Sequence, residues 1–79
     1  MAGKLQNRLL DLIHKKETEL GTRLTVRQIA RGAGVSERLI YRWLDRDNPP
    51  TRYDANVIVG FCEYFAVQPG DLLEYKEDD

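Results

Sequence analysis

Residues 24–44 read L-T-V-R-Q-I-A-R-G-A-G-V-S-E-R-L-I-Y-R-W-L, and the spacing of their apolar positions decides the fold. Thr25 and Gln28 have the T-x-x-Q spacing of a capping box, in which each residue's side chain satisfies the other's backbone N–H, so a helix starts at Thr25. It is short, because Gly32 and Gly34 follow within ten residues. Ser36 offers a hydroxyl to the unpaired N–H groups of a further helix, and Glu37 suits the positive end of that helix's dipole. Counted from Ala30, the residues at −1, +3, +5, +10 and +13 are Ile29, Ala33, Val35, Ile40 and Trp43, all apolar. Ala30 is small enough to let two helices cross closely, and Gly34 supplies a turn where a side chain would clash at positive φ. Between the core positions of the later helix lie Glu37, Arg38, Leu39, Tyr41 and Arg42; Arg38 and Arg42 are four apart and share a face.

Outward from this segment the pattern stays helical. Leu5, Leu9, Leu12 and Ile13 fall at i, i+4, i+7 and i+8, which predicts a first helix from about Lys4 to Glu19, ended by Gly21. The stretch D-R-D-N-P-P-T (45–51) is a loop, since Pro49 and Pro50 each remove a donor and restrict the residue before. Asp54 is the next cap, with Tyr53 and Ile58 spaced as a hydrophobic staple, and Ile58, Phe61, Cys62 and Phe65 repeat at helical intervals. Pro69 suits the first position of a last short helix that buries Leu72 and Leu73. No alternating pattern predicts a strand. The expectation is one all-α, five-helix domain over the 79 residues, folded from about residue 4 to 75, with a helix-turn-helix at about 25–45 and the acidic end, 76–79, as a disordered tail.

Composition narrows the function. The chain is 42% hydrophobic and 32% charged, enough for one core under a soluble surface. Its longest uncharged run, Ala55 to Cys62, falls far short of the roughly 20 apolar residues that span a bilayer, so no membrane segment is expected, nor a secretory signal. A lone Cys62 allows no internal disulfide, as is usual in the cytosol, and a cytoplasmic location is expected. The net charge of −1 conceals a division: residues 22–46 carry six arginines against Glu37 and Asp45, whereas residues 47–79 carry eight acids against Arg52 and Lys76. That concentration of arginine is what a local anion-binding face has. His14 has no second ligand at metal spacing, Cys62 has no base to activate it, and Asp71 and Glu74 are explained by capping and solvation. No metal, cofactor or small-molecule ligand is expected, and no enzyme. Trp43 reads as core.

Residues 24–44, N-P before the fourth helix and Q-P-G-D-L-L (68–73) after it together resemble the lambda-repressor-like, Xre-type transcriptional regulators, over about Leu9 to Tyr75. The resemblance implies sequence-specific binding of double-stranded DNA, with the helix at Ser36–Leu44 in the major groove. It makes Glu37, Arg38 and Arg42 candidates for base contact: an arginine fork matches guanine O6 and N7, and a carboxylate accepts from cytosine N4. Leu39, apolar where a polar residue is common, either meets a thymine methyl or docks a protein partner. Thr25, Arg27, Ser36, Tyr41, Arg46, Asn48 and Arg52 become candidate phosphate contacts. Two departures stand out: Val26 replaces a glutamine that binds phosphate in this family, and Gly21–Leu24 is about two residues longer than the usual connection. A different class of function on the same fold is a protein-interaction module, an antitoxin or adaptor, using Leu39, Tyr41 and the acidic C-terminal third. A homodimer is a further expectation, with the helix near Phe65–Tyr75 as its surface.

Overall fold

The computed structural model describes residues 3–77. The elements run β1 (Lys4–Asn7), α1 (Leu9–Leu20), α2 (Val26–Ala33), α3 (Glu37–Leu44), α4 (Ala55–Phe65), α5 (Pro69–Leu72) and β2 (Leu73–Lys76).

Local hydrogen-bond chemistry sets most of these boundaries. Thr25 Oγ1 accepts from the Gln28 N–H at 3.1 Å while Gln28 Oε1 accepts from the Thr25 N–H at 2.8 Å, completing the capping box of α2. Ser36 Oγ accepts from Leu39 N–H at 3.1 Å to start α3. Asp54 Oδ1 accepts from Asn56 and Val57 to start α4. Gly21 and Gly34 end α1 and α2 at φ 70° and 72°, in the left-handed region glycine enters without penalty.

Ala66 performs the same task for α4 at φ 56°, with Val67 N–H donating to Cys62 O behind it. A non-glycine residue pays roughly 1–2 kcal/mol there, against which the greater freedom of glycine in the unfolded chain counts about 0.4–1 kcal/mol. Ala66→Gly is therefore expected to stabilise the domain by about 0.5–1 kcal/mol, read as a higher urea midpoint with unchanged slope.

The five helices and the helix-turn-helix stand where expected, but both ends of the chain differ. The first helix begins at Leu9, not Lys4. Residues 4–7 instead pair antiparallel with residues 73–76, in the register Lys4↔Lys76, Leu5↔Tyr75, Gln6↔Glu74, Asn7↔Leu73. Leu5 fits the helical period of Leu9 and Leu12 but is 49% exposed, so it lies outside the buried stripe. Asn7 marks the true start: its Oδ1 accepts from Leu9 N–H at 3.2 Å. The last helix spans only Pro69–Leu72, and the acidic end is not a free tail from residue 76, because Lys76 is paired in β2. Asp78 and Asp79, the last two residues of that expected tail, lie outside the described residues.

The core gathers Leu9, Leu12 and Ile13 from α1, Ile29, Ala30 and Ala33 from α2, Ile40 and Trp43 from α3, Phe61 from α4 and Leu72 from α5. Phe61 is fully buried at its centre, with the Trp43 ring 4.8 Å away on one side and Phe65 at 6.3 Å on another. Tyr53 closes the far side of Trp43 edge to face at 5.0 Å. Such pairs add about 0.5–1.5 kcal/mol beyond the area they bury. Where α4 crosses α2, Gly60 lies against the Ala33 carbonyl oxygen, so close that a methyl there would overlap it.

Candidate nucleic-acid interface

Core packing orients α3. Ile40 and Trp43 are buried and Leu39 and Leu44 half-buried against the core, which leaves Glu37, Arg38, Tyr41 and Arg42 on the solvent side. Tyr41 is 61% exposed. Among the described residues the one ion pair joins Arg8 to Asp11 at 3.7 Å. Among the described residues no carboxylate lies within ion-pair reach of Arg38 or Arg42, nor of Arg23, Arg27, Arg31, Arg46 or Arg52. Their guanidinium groups retain their donors for an external anion.

Leu39, expected either to meet a thymine methyl or to dock a partner, is half-buried. It packs against the core beside Ile40 and is not a freely projecting side chain, because it sits on the border of the buried stripe. Val26 also belongs to the core margin, which explains its apolar character where a polar residue was the family's pattern. Thr25, Arg27, Ser36, Arg46, Asn48 and Arg52 are all exposed. The Thr25 hydroxyl also lies 3.3 Å from Gln28 Oε1, so its proton is engaged within the capping box.

Three residues that the sequence reading passed over hold this surface in place. Asp45 Oδ1 accepts from the N–H groups of Asp47 and Asn48 at 3.0 and 3.1 Å, an Asx turn that fixes the start of the loop bearing Arg46 and Asn48. Asn7 Nδ2 donates to the Trp43 carbonyl at 2.9 Å, satisfying one of the orphan acceptors at the end of α3. Glu17 governs the long Gly21–Leu24 connection: its carbonyl accepts from Gly21 and Thr22, and its carboxylate from Leu24 N–H at 2.8 Å. Asp45 and Asn7 carry short-range signals, an Asx residue two or three positions before the N–H it binds. The Glu17 bond to Leu24 spans a loop and leaves no such signature.

A family model for the Cro/C1-type HTH DNA-binding domain matches residues 21–78. The chain belongs to this family. Comparison with curated proteins and with solved structures gives no match. As a Cro/C1-type domain the chain is a DNA-binding module and not a catalytic one, and its matched stretch takes in α2, α3, α4, α5 and β2. The lambda-repressor-like resemblance holds for that stretch; β1 and α1 precede it.

The rest of the Cro/C1-type domain offers little chemistry. Cys62 is half-buried, and burial, then the nearby Asp71 carboxylate, push its thiol above the ordinary range and away from the reactive thiolate. Burial likewise pushes up the Tyr64 phenol, whose ring carries Lys16 Nζ 4.8 Å from its centre. Among the described residues no three His, Cys, Asp or Glu side chains gather as a metal site, and no helix is long and apolar enough to cross a membrane. A cleft of about 350 Å³ between β1, the start of α1 and the α3–α4 loop mixes Lys4, Arg8, Arg46 and Lys76 with Asp11, Asp45 and Glu74. Its charges nearly balance, so it selects no ligand by sign.

Proposed function

We propose that this DNA-binding domain reads a specific duplex sequence by laying α3 in the major groove, as a cytoplasmic transcriptional regulator. One observation carries the reading: Arg38 and Arg42 stand one turn apart, exposed and, among the described residues, unpaired with any carboxylate, on a helix whose opposite side is fixed in the core. A helix held rigidly from behind has little backbone entropy left to lose when its outward side chains bind. Arg38 and Arg42 take guanine edges and Glu37 takes a cytosine amine, whereas Arg27, Ser36, Tyr41, Arg46, Asn48 and Arg52 hold phosphates and set the register. The absence of an internal disulfide, with Cys62 the single cysteine, supports the cytoplasmic setting.

Selection from a random duplex library is expected to enrich one motif. On that motif Arg42→Ala loses about 1–3 kcal/mol and discriminates less between sequences. Arg46→Ala weakens all duplexes alike and lowers the slope of log K against log salt by about one. Equal losses on every sequence for both variants remove Arg42 from base reading.

The exposed Tyr41 favours a second reading, a protein-docking module on the same fold. Half-burial of Leu39 takes away one of the residues that such a surface needs. A partner complex that survives high salt and is lost in Tyr41→Asp supports that reading over DNA.

A further inference from the structure

We infer that a groove on the outer side of α4 docks a short protein segment carrying aliphatic or aromatic anchors next to lysine or arginine. The groove holds about 300 Å³ and is lined by Ile58, Val59, Cys62, Glu63, Val67 and Pro69, with Gln68 between the last two. A helix that covers a core on one side is expected to be polar on the other. Here Phe61 supplies the buried side, and Asn56 and Glu63 are exposed as expected, but Val59 between them is apolar and 53% exposed. Single exposed aliphatic residues are ordinary on any surface. Val59 is not single, because the half-buried Ile58, Cys62 and Val67 extend it into one apolar depression.

The far wall is the turn between α4 and α5, and local bonds fix it. Val67 N–H donates to Cys62 O at 3.0 Å, Gln68 N–H donates to Asp71 Oδ2 at 3.0 Å, and the Pro69 ring restricts its own φ. The depression is therefore formed before any ligand arrives, which lowers the ordering cost of binding. No residue of α2 or α3 lines it, so a segment docked here and a duplex on α3 make separate contacts.

Charge selects the occupant. Residues 53–75 contain four acids, Asp54, Glu63, Asp71 and Glu74, and no lysine or arginine. Glu63 lines the groove, and Asp71 stands near enough to the Cys62 thiol to add to the upward push that burial exerts on it. Among the described residues neither carboxylate has a cation within ion-pair reach. A second copy is the wrong occupant, because a two-fold contact sets a patch against itself and would bring these acids together. A basic segment instead answers Glu63 and Asp71 while its apolar side chains fill the depression, as an amphipathic helix does in a hydrophobic groove. Exposed charges of this kind govern encounter and choice of partner, and the buried anchors govern retention.

The probe is a synthetic helical peptide with leucines at i, i+3, i+4 and i+7 and lysines at the positions between, compared with the same peptide bearing glutamates for the lysines. Each is titrated into the full chain without nucleic acid, so the result is independent of the DNA reading. The lysine peptide is expected to bind and to shift the amides of Val59, Cys62, Glu63 and Val67; the glutamate peptide is expected not to bind. Val59→Gln removes an apolar contact without changing net charge. It lies at an exposed position, so helix content by circular dichroism is retained, and affinity should fall about fivefold or more. Glu63→Gln should weaken binding by about two- to fivefold, the range for an exposed charge pair. Binding that is indifferent to Val59→Gln, or amide shifts centred on another surface, overturns the proposal. So does failure of both peptides to bind, or equal binding of the glutamate peptide, which would leave the acids no part in the choice. A wild-type dimer that Val59→Gln dissociates also overturns it, by making a second copy the occupant.

Discussion

Phe61→Ala is expected to destabilise the domain by about 3–5 kcal/mol, the range for truncating a fully buried aromatic ring. The loss is large against the roughly 4–12 kcal/mol that about 0.05–0.15 kcal/mol per residue gives a chain of 79 residues. Phe61 has no exposed surface and touches both Trp43 and Phe65, so no neighbour can collapse into the space without leaving its own partner. The helix it supports through Trp43 is the one bearing Arg38 and Arg42. Urea titration followed by Trp43 fluorescence measures the effect. A shift of less than about 1 kcal/mol, below the usual range for such truncations, would remove Phe61 from the centre of the core.

Gly60→Ala is expected to destabilise the fold by about 1–3 kcal/mol, the range for overpacking, although alanine is the better helix former by about 1 kcal/mol. The added methyl overlaps a backbone oxygen, Ala33 O, which no rotamer change can move aside. Either α4 or the end of α2 must shift, and Ala33 immediately precedes the Gly34 turn that sets the angle between α2 and α3. Stability and DNA affinity should therefore fall together, with amide shifts concentrated at Gly34 and Val35. Gly32→Ala is the control. There the methyl meets the Tyr64 ring, a side chain that can swing away, and the loss should be smaller.

The helices were legible because their ends are closed by partners two to five residues away. Thr25 with Gln28, Ser36 with Leu39, Asp54 with Asn56 and Val57, and the glycines at 21 and 34 all form bonds whose partners stand side by side in the sequence. Outward projection of Arg38 and Arg42 was legible for a related reason: the apolar period of Ile40 and Trp43 fixes the opposite face. The strands were not. Each is four residues long, and what makes them strands is a partner about seventy positions away, which no local pattern announces. Leu5 extended the period of Leu9 and Leu12 by coincidence, and the helix drawn from Lys4 hid the bond that Asn7 Oδ1 accepts from Leu9 N–H. Gly60 carried a signal that went unused, since an internal helix glycine needs a reason, but the reason, Ala33, lies on another helix. The half-burial of Leu39 was not legible, because a border position on a helix is decided by how far a neighbouring element reaches, which periodicity does not contain.

The ladder between β1 and β2, with Asn7 gripping the end of α3, means that neither extremity of the domain can fray alone. Peeling residues 4–7 away strips β2 of its partner, withdraws the donor from the Trp43 carbonyl and uncaps Leu9 in a single event. Amide exchange at the first strand, the last strand and the closing turn of α3 should therefore report one shared opening. The two strands act as a latch on α3, the helix proposed to meet DNA.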